Sequence, residues 1–77
     1  MNGYNLIVKA NTTDEAIQHV NEVLSIPATS ASPLGYGEVI VSVHADRDLT
    51  TPLNEWLIAT RPGDDAPFPP GALIHWS

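Results

Sequence analysis

Few side chains in this sequence can do chemistry near neutral pH, and the histidines come first. Imidazole serves as base, acid or metal ligand in that range. His44 lies near the end of the alternating segment Glu38 to Ala45, and His75 lies in the C-terminal segment Ala72 to Ser77. By strand phase both point to the same side of a sheet, and Asp46 shares that side if the strand continues far enough. A His-x-Asp pair with a second histidine suits a divalent cation, but this spacing matches no established ligand pattern and needs the last strand to lie near the middle one. The expectation is therefore no metal and no cofactor. His44 or His75 together with Lys9 is also the minimum for a proton-transfer site, provided an apolar pocket encloses them.

Nucleophilic chemistry has less to work with. No serine stands in a Gly-x-Ser-x-Gly elbow, and the absence of cysteine removes thiol nucleophiles, disulfides and thiolate metal sites. Gly35-Tyr36-Gly37 precedes a strand instead of a helix, so no helix N-terminus follows to receive a phosphate. Its expected role is to turn the chain. A second candidate region is Arg61 to Gly71, which holds four of the seven prolines. Proline density makes it an extended loop, Phe68 is its one large apolar residue, and Asp64 and Asp65 present paired negative charge at its tip.

The elements that must position these residues follow from periodicity. Tyr4 to Ala10 alternates as a strand, and so does Glu38 to Ala45, with Val39, Val41 and Val43 on one face and Ile40, Ser42 and His44 on the other. Thr12-Thr13-Asp14-Glu15 is a capping box that starts a first helix, with Ala16, Ile17, Val20, Val23 and Leu24 at helical spacing and Gln18, His19, Asn21 and Glu22 toward water. Pro27 ends it. A threonine cap and Pro52 start a second helix, whose stripe is Leu53, Trp56, Leu57 and Thr60. Residues 26 to 37 mix turn formers with small residues and read as a loop with at most one short edge strand. The resulting β-α-β-α-β order predicts an α+β fold: a ferredoxin-like sandwich with its second strand short or missing, both helices on one face of a three- or four-stranded sheet.

With the more apolar strand faces under the helices, Leu6, Val8, Val39, Val41, Val43, Ala72, Ile74 and Trp76 form the predicted core. The outer face then collects Asn5, Ile7, Lys9, Ile40, Ser42, His44, Leu73 and His75. Ile7, Ile40 and Leu73 would make an apolar centre ringed by polar groups, and such a patch calls for a cover.

Size and charge bound what that cover is. Seventy-seven residues make one small domain, and twenty of them are Leu, Ile, Val or Phe, enough to fold. A chain this short buries only about 60 to 65% of its unfolded surface, so pairing with a second copy is a natural source of stability. The formal charge is −6, with only Lys9, Arg47 and Arg61 positive. Three scattered bases cannot neutralise a phosphate backbone or hold an anionic membrane, which argues against direct nucleic-acid or membrane binding, whereas a basic protein partner is allowed. No apolar run exceeds four residues, so neither a signal peptide nor a membrane span is indicated and the expected compartment is the cytoplasm. The expected function is a small acidic, non-enzymatic protein-interaction module of accessory or inhibitor type, such as phages and mobile elements make. It would be a homodimer through the open sheet face, with the Arg61 to Gly71 loop as a second surface. A special case is an acidic decoy of nucleic acid. The competing class is a dimeric ferredoxin-like ligand-binding protein or proton-transfer enzyme built on His44 and His75.

Overall fold

The computed structural model describes residues 2–77. Along the chain run β1 (Asn2–Lys9), α1 (Thr13–Leu24), β2 (Ala28–Gly35), β3 (Glu38–Ala45), α2 (Thr50–Ala59) and β4 (Leu73–Trp76). The strands form one antiparallel open sheet in the order β2-β3-β1-β4. Alternation is what buries it: Leu6 and Val8 of β1 and Val39, Val41 and Val43 of β3 are essentially inaccessible, packed under Ala16, Val20 and Leu24 of α1 and Leu53 and Trp56 of α2. Among the described residues no polar or charged side chain is buried. Both helices therefore cover the same face.

The second strand departs from the sequence expectation. β2 is eight residues long, as long as β1 and β3, and it pairs with β3 from Ala28↔Val43 to Gly35↔Glu38. Its residues lack strand propensity, but as an edge it needs only one partner, and Pro33 costs no ladder bond on a free edge. The register shifts between Ala28 and Ser30 and again between Pro33 and Gly35. Such bulges bend an edge away from unwanted pairing.

β4 corrects a second expectation. Its register with β1 is Leu6↔Trp76, Ile7↔His75 and Val8↔Leu73, so Ile74 is an extra residue in a bulge. The bulge breaks the period of two. Leu73 consequently lies in the core, fully buried, and not on the outer face, while Ile74 is only half-buried at the sheet edge. A bond from α2 accompanies the shift: the Leu73 amide donates to Thr60 Oγ1 at 3.1 Å, and Thr60 Oγ1 donates to the Trp56 carbonyl at 2.8 Å. The Trp56 indole also donates to the Gly71 carbonyl at 3.0 Å, so α2 grips the approach to β4 from two sides.

The helix caps divide between expectation and correction. Thr12 Oγ1 accepts from the Glu15 amide at 3.1 Å, and Glu15 reaches back one residue beyond the usual box to accept from the Asn11 amide at 3.2 Å. At α2 the N-cap position is Leu49, whose side chain makes no cap bond, and the residue before it supplies the bonds expected of a threonine cap. Asp48 Oδ1 accepts from the Thr50 amide at 2.9 Å and the Thr50 hydroxyl at 2.6 Å, and Tyr4 Oη donates to it at 3.3 Å while accepting from the Leu49 amide at 3.0 Å. The carboxylate does better there because it satisfies several donors at the positive helix end. Nor does His19 stand free in water. It is half-buried over Gly71, whose positive φ of 86° and lack of a side chain let the ring approach, since a Cβ would lie 2.8 Å from Cε1.

Two predictions follow from these contacts. Leu73→Ala lowers stability by about 2 to 5 kcal/mol in urea titrations, whereas Ile74→Ala costs clearly less; an equal or reversed pair would mean that β4 has no bulge. The Thr50 hydroxyl and amide hold the Asp48 carboxyl below its ordinary 3.8. A depressed folded-state pKa contributes stability above the unfolded value and loses it as pH falls through the folded one. Urea midpoints of the native chain therefore drop from about pH 4 downward, and Asp48→Ala removes part of that slope.

Candidate functional site

The uncovered side of the sheet is the first candidate. At its centre Ile7 of β1 and Ile40 of β3 stand directly opposite each other, both half-buried. Next to them, Asn5 faces Ser42, whose hydroxyl donates to Asn5 Oδ1 at 2.8 Å, and Lys9 faces Glu38. From β2, Ser30 and Ser32 continue the Ser42 and Ile40 rows. His75 lies beside Ile7, and His44 packs against Gly3, with Cε1 3.4 Å from where a Cβ would sit. Of the expected outer-face residues only Leu73 is missing. The face is therefore less apolar than the alternation implied, with one branched pair in a polar frame.

Its charge is unlike the rest of the molecule. Of the nine acids, only Glu38 lies on the strands of this face, and it stands across from Lys9; Asp14, Glu15 and Glu22 are on α1, Glu55 on α2, and Asp46, Asp48, Asp64 and Asp65 in loops. With neutral histidines the face carries no net charge, while the molecule as a whole is strongly acidic.

The two histidines share the face but do not converge. His44 is level with Gly3 and His75 with Ile7, on strands that flank β1, so they are offset by four residues or about 13 Å along the strand direction. Among the described residues no group of three or more His, Cys, Asp or Glu side chains is placed to hold a metal ion. His44 instead borders an open groove of about 540 Å³ with Ile26, Pro27, Ala45, Asp46 and Arg47. The Arg47 guanidinium donates to the Leu24 carbonyl at 3.2 Å and thereby closes the end of α1. The groove offers one imidazole and one carboxylate at a wide mouth, enough for surface contact but without the enclosure that catalysis needs.

The Arg61 to Gly71 loop forms a smaller cleft. Phe68 leans toward α2 and the edge of β4, where Leu57, Arg61, Phe68 and Ile74 line a space of about 230 Å³. Asp64 and Asp65 are exposed in a turn closed by the Ala66 amide on the Gly63 carbonyl at 3.1 Å, and Asp65 takes a left-handed φ of 61° that Asp tolerates well. They belong to the loop between α2 and β4 and not to a strand, so the expected binding residues are divided between the sheet face and that loop. Sequence reasoning missed Leu57, Arg61 and Ile74 as partners of Phe68. Arg61 carried a signal, being one of only three bases and standing at the head of the proline-rich loop, but Ile74 was hidden by the bulge.

No helix of the described residues is long and apolar enough to cross a membrane. Comparison with protein-family models, with curated proteins and with solved structures finds no match.

Proposed function

We propose that this protein is a non-enzymatic protein-interaction module of accessory or inhibitor type, and that a second copy covers its open sheet face. The observation that carries the reading is the pairing of Ile7 with Ile40 at the centre of a face without net charge, on a molecule of charge −6. Two copies packed sheet to sheet keep their acidic helices and loops apart, so the usual penalty of like-charge association is small. Strands about 4.8 Å apart and up to eight residues long give a face of about 500 Å² per copy, or about 1,000 Å² for the pair, the low end of specific interfaces. The dimer is accordingly weak and concentration-dependent.

The same sheet read from its other edge runs β4-β1-β3-β2 with every neighbour antiparallel, which supports a ferredoxin-like arrangement of the sandwich. That architecture hosts enzymes and binding modules alike, so it adds nothing to the choice of function. The acidic remainder of the surface suits a basic protein partner. A ligand-binding or proton-transfer reading has the His44 groove in its favour, but His75 and Lys9 lie outside the groove's lining.

Sedimentation velocity over a concentration series tests the reading. Ile40→Asp places a carboxylate against its copy across the two-fold and cuts sheet-face association at least tenfold, with Ile7→Lys as an independent disruption of the same centre. Unchanged association in both folded variants would remove the sheet face from consideration.

A further inference from the structure

The hairpin between β2 and β3 turns on two residues, Tyr36 and Gly37, with φ of 56° and 73°. Positive φ at both central positions is the signature of a type I′ turn, which strongly prefers Asn-Gly because an asparagine accepts the left-handed region and a bulky residue resists it. Tyrosine is a poor choice for the first position, and nothing among the described residues rewards it: Tyr36 is 96% exposed. The turn is nevertheless held firmly. Lys9 Nζ donates to the Tyr36 carbonyl at 3.1 Å, and the Ala10 amide donates to the Gly37 carbonyl at 2.9 Å. Gly37 suits the second position, because its φ of 73° strains any residue that carries a Cβ. A fixed turn thus displays the most exposed large apolar side chain of the described residues, at a cost in backbone strain.

The chain also contains a receptor of matching chemistry. The cleft of Leu57, Phe68 and Ile74 has apolar walls and is about the size of an aromatic side chain. Its fourth wall, Arg61, has a guanidinium that donates to nothing among the described residues, whereas Lys9 and Arg47 are bound to carbonyls. An apolar slot beside a free guanidinium suits a phenol ring, by burial, by a cation–π contact and by a hydrogen bond to the hydroxyl. The molecule's own Tyr36 is out of reach, on the β2-β3 hairpin with β1 between it and β4. Both features do lie toward the same end of the strands, since Gly35↔Glu38↔Lys9 is one position beyond Val8↔Leu73. A two-fold axis along the sheet normal would therefore bring each hairpin tip toward its partner's cleft.

We infer that Tyr36 of one copy docks in the Leu57, Arg61, Phe68 and Ile74 cleft of a second copy, reciprocally, as an end-to-end self-contact distinct from the sheet face. A chain with two different self-complementary surfaces assembles beyond the dimer as its concentration rises.

Sedimentation velocity on four full-length proteins separates this contact from the sheet-face one. Wild type grows past dimer with concentration, Ile40→Asp stops at dimer, and Ile40→Asp combined with Tyr36→Ala or with Arg61→Glu is monomeric. The exposed positions of Tyr36 and Arg61 leave the fold intact, which circular dichroism checks. Mixing the two double variants restores part of the dimer, because one supplies the cleft and the other the tip. Since the chain has no cysteine, Tyr36→Cys mixed with Arg61→Cys also gives an intermolecular disulfide under mild oxidation, well above Tyr36→Cys mixed with Ile58→Cys. A monomeric Ile40→Asp protein, or one whose dimer survives Tyr36→Ala, overturns the inference while leaving the sheet face untouched. An Ile40→Asp protein that associates like wild type and loses association only with Tyr36→Ala sinks the sheet-face reading and keeps this one.

Discussion

Burial in this protein runs through a single plane, the helix-facing side of the sheet. The described residues make one sheet and two helices, so their apolar side chains leave water between those layers or at their rim. The pleat then decides the rest: each strand sends alternate residues in, and whatever stands between them is left on a face that none of the described residues covers. Leu6, Val8, Val39, Val41 and Val43 satisfy the first half of that rule, and Ile7 and Ile40 are the consequence of the second. The core contains no buried polar residue that would specify register by itself, so hydrogen bonds at the ends of the elements take over that role.

Those bonds cluster around α2. Asp48 and Tyr4 fix its start, Trp56 and Thr60 bind the chain as it enters β4, and the Trp76 indole donates to Asn54 at 3.1 Å while its ring meets Tyr4 edge-on at 6.1 Å. The helix has weak amphipathic character of its own, with Ile58 exposed, and is positioned by these anchors as much as by its apolar stripe. The bulge at Ile74 belongs to the same system. It lets Leu73 enter the core while Trp76, three residues on, still reaches the helix side. It also frees Ile74 to wall the Phe68 cleft.

Charge gives the surface its direction. The helices and loops carry eight of nine acids, leaving a sheet face that is neutral with neutral histidines. Acidity keeps one side solvated and open to basic partners, and the neutral side is where two such molecules can meet without repulsion. The hairpin tip adds a second kind of contact, an aromatic side chain on a fixed turn, where binding loses little conformational freedom.

Most of the core was legible in the linear pattern. Alternation in β1 and β3, the capping box at Thr12 and the Pro52 start of α2 are local signals, each set by a few neighbouring residues, and local physics places them correctly. His44 and His75 fall on the expected face for the same reason, whereas His19 does not stay in water. What the sequence could not decide was whatever depends on a partner strand or helix. β2 forms because β3 offers it an edge, against its own propensities. Asp48 bonds locally to Thr50, but the Leu49 amide that opens α2 finds its acceptor in Tyr4 Oη, 45 positions away in the chain. Leu73 changes faces because Thr60 and β1 impose a bulge that no period of two contains. Periodicity reports which side of an element is apolar, whereas register, bulges and the meeting of distant loops are set by hydrogen bonds between segments, and those exist only once the segments have come together.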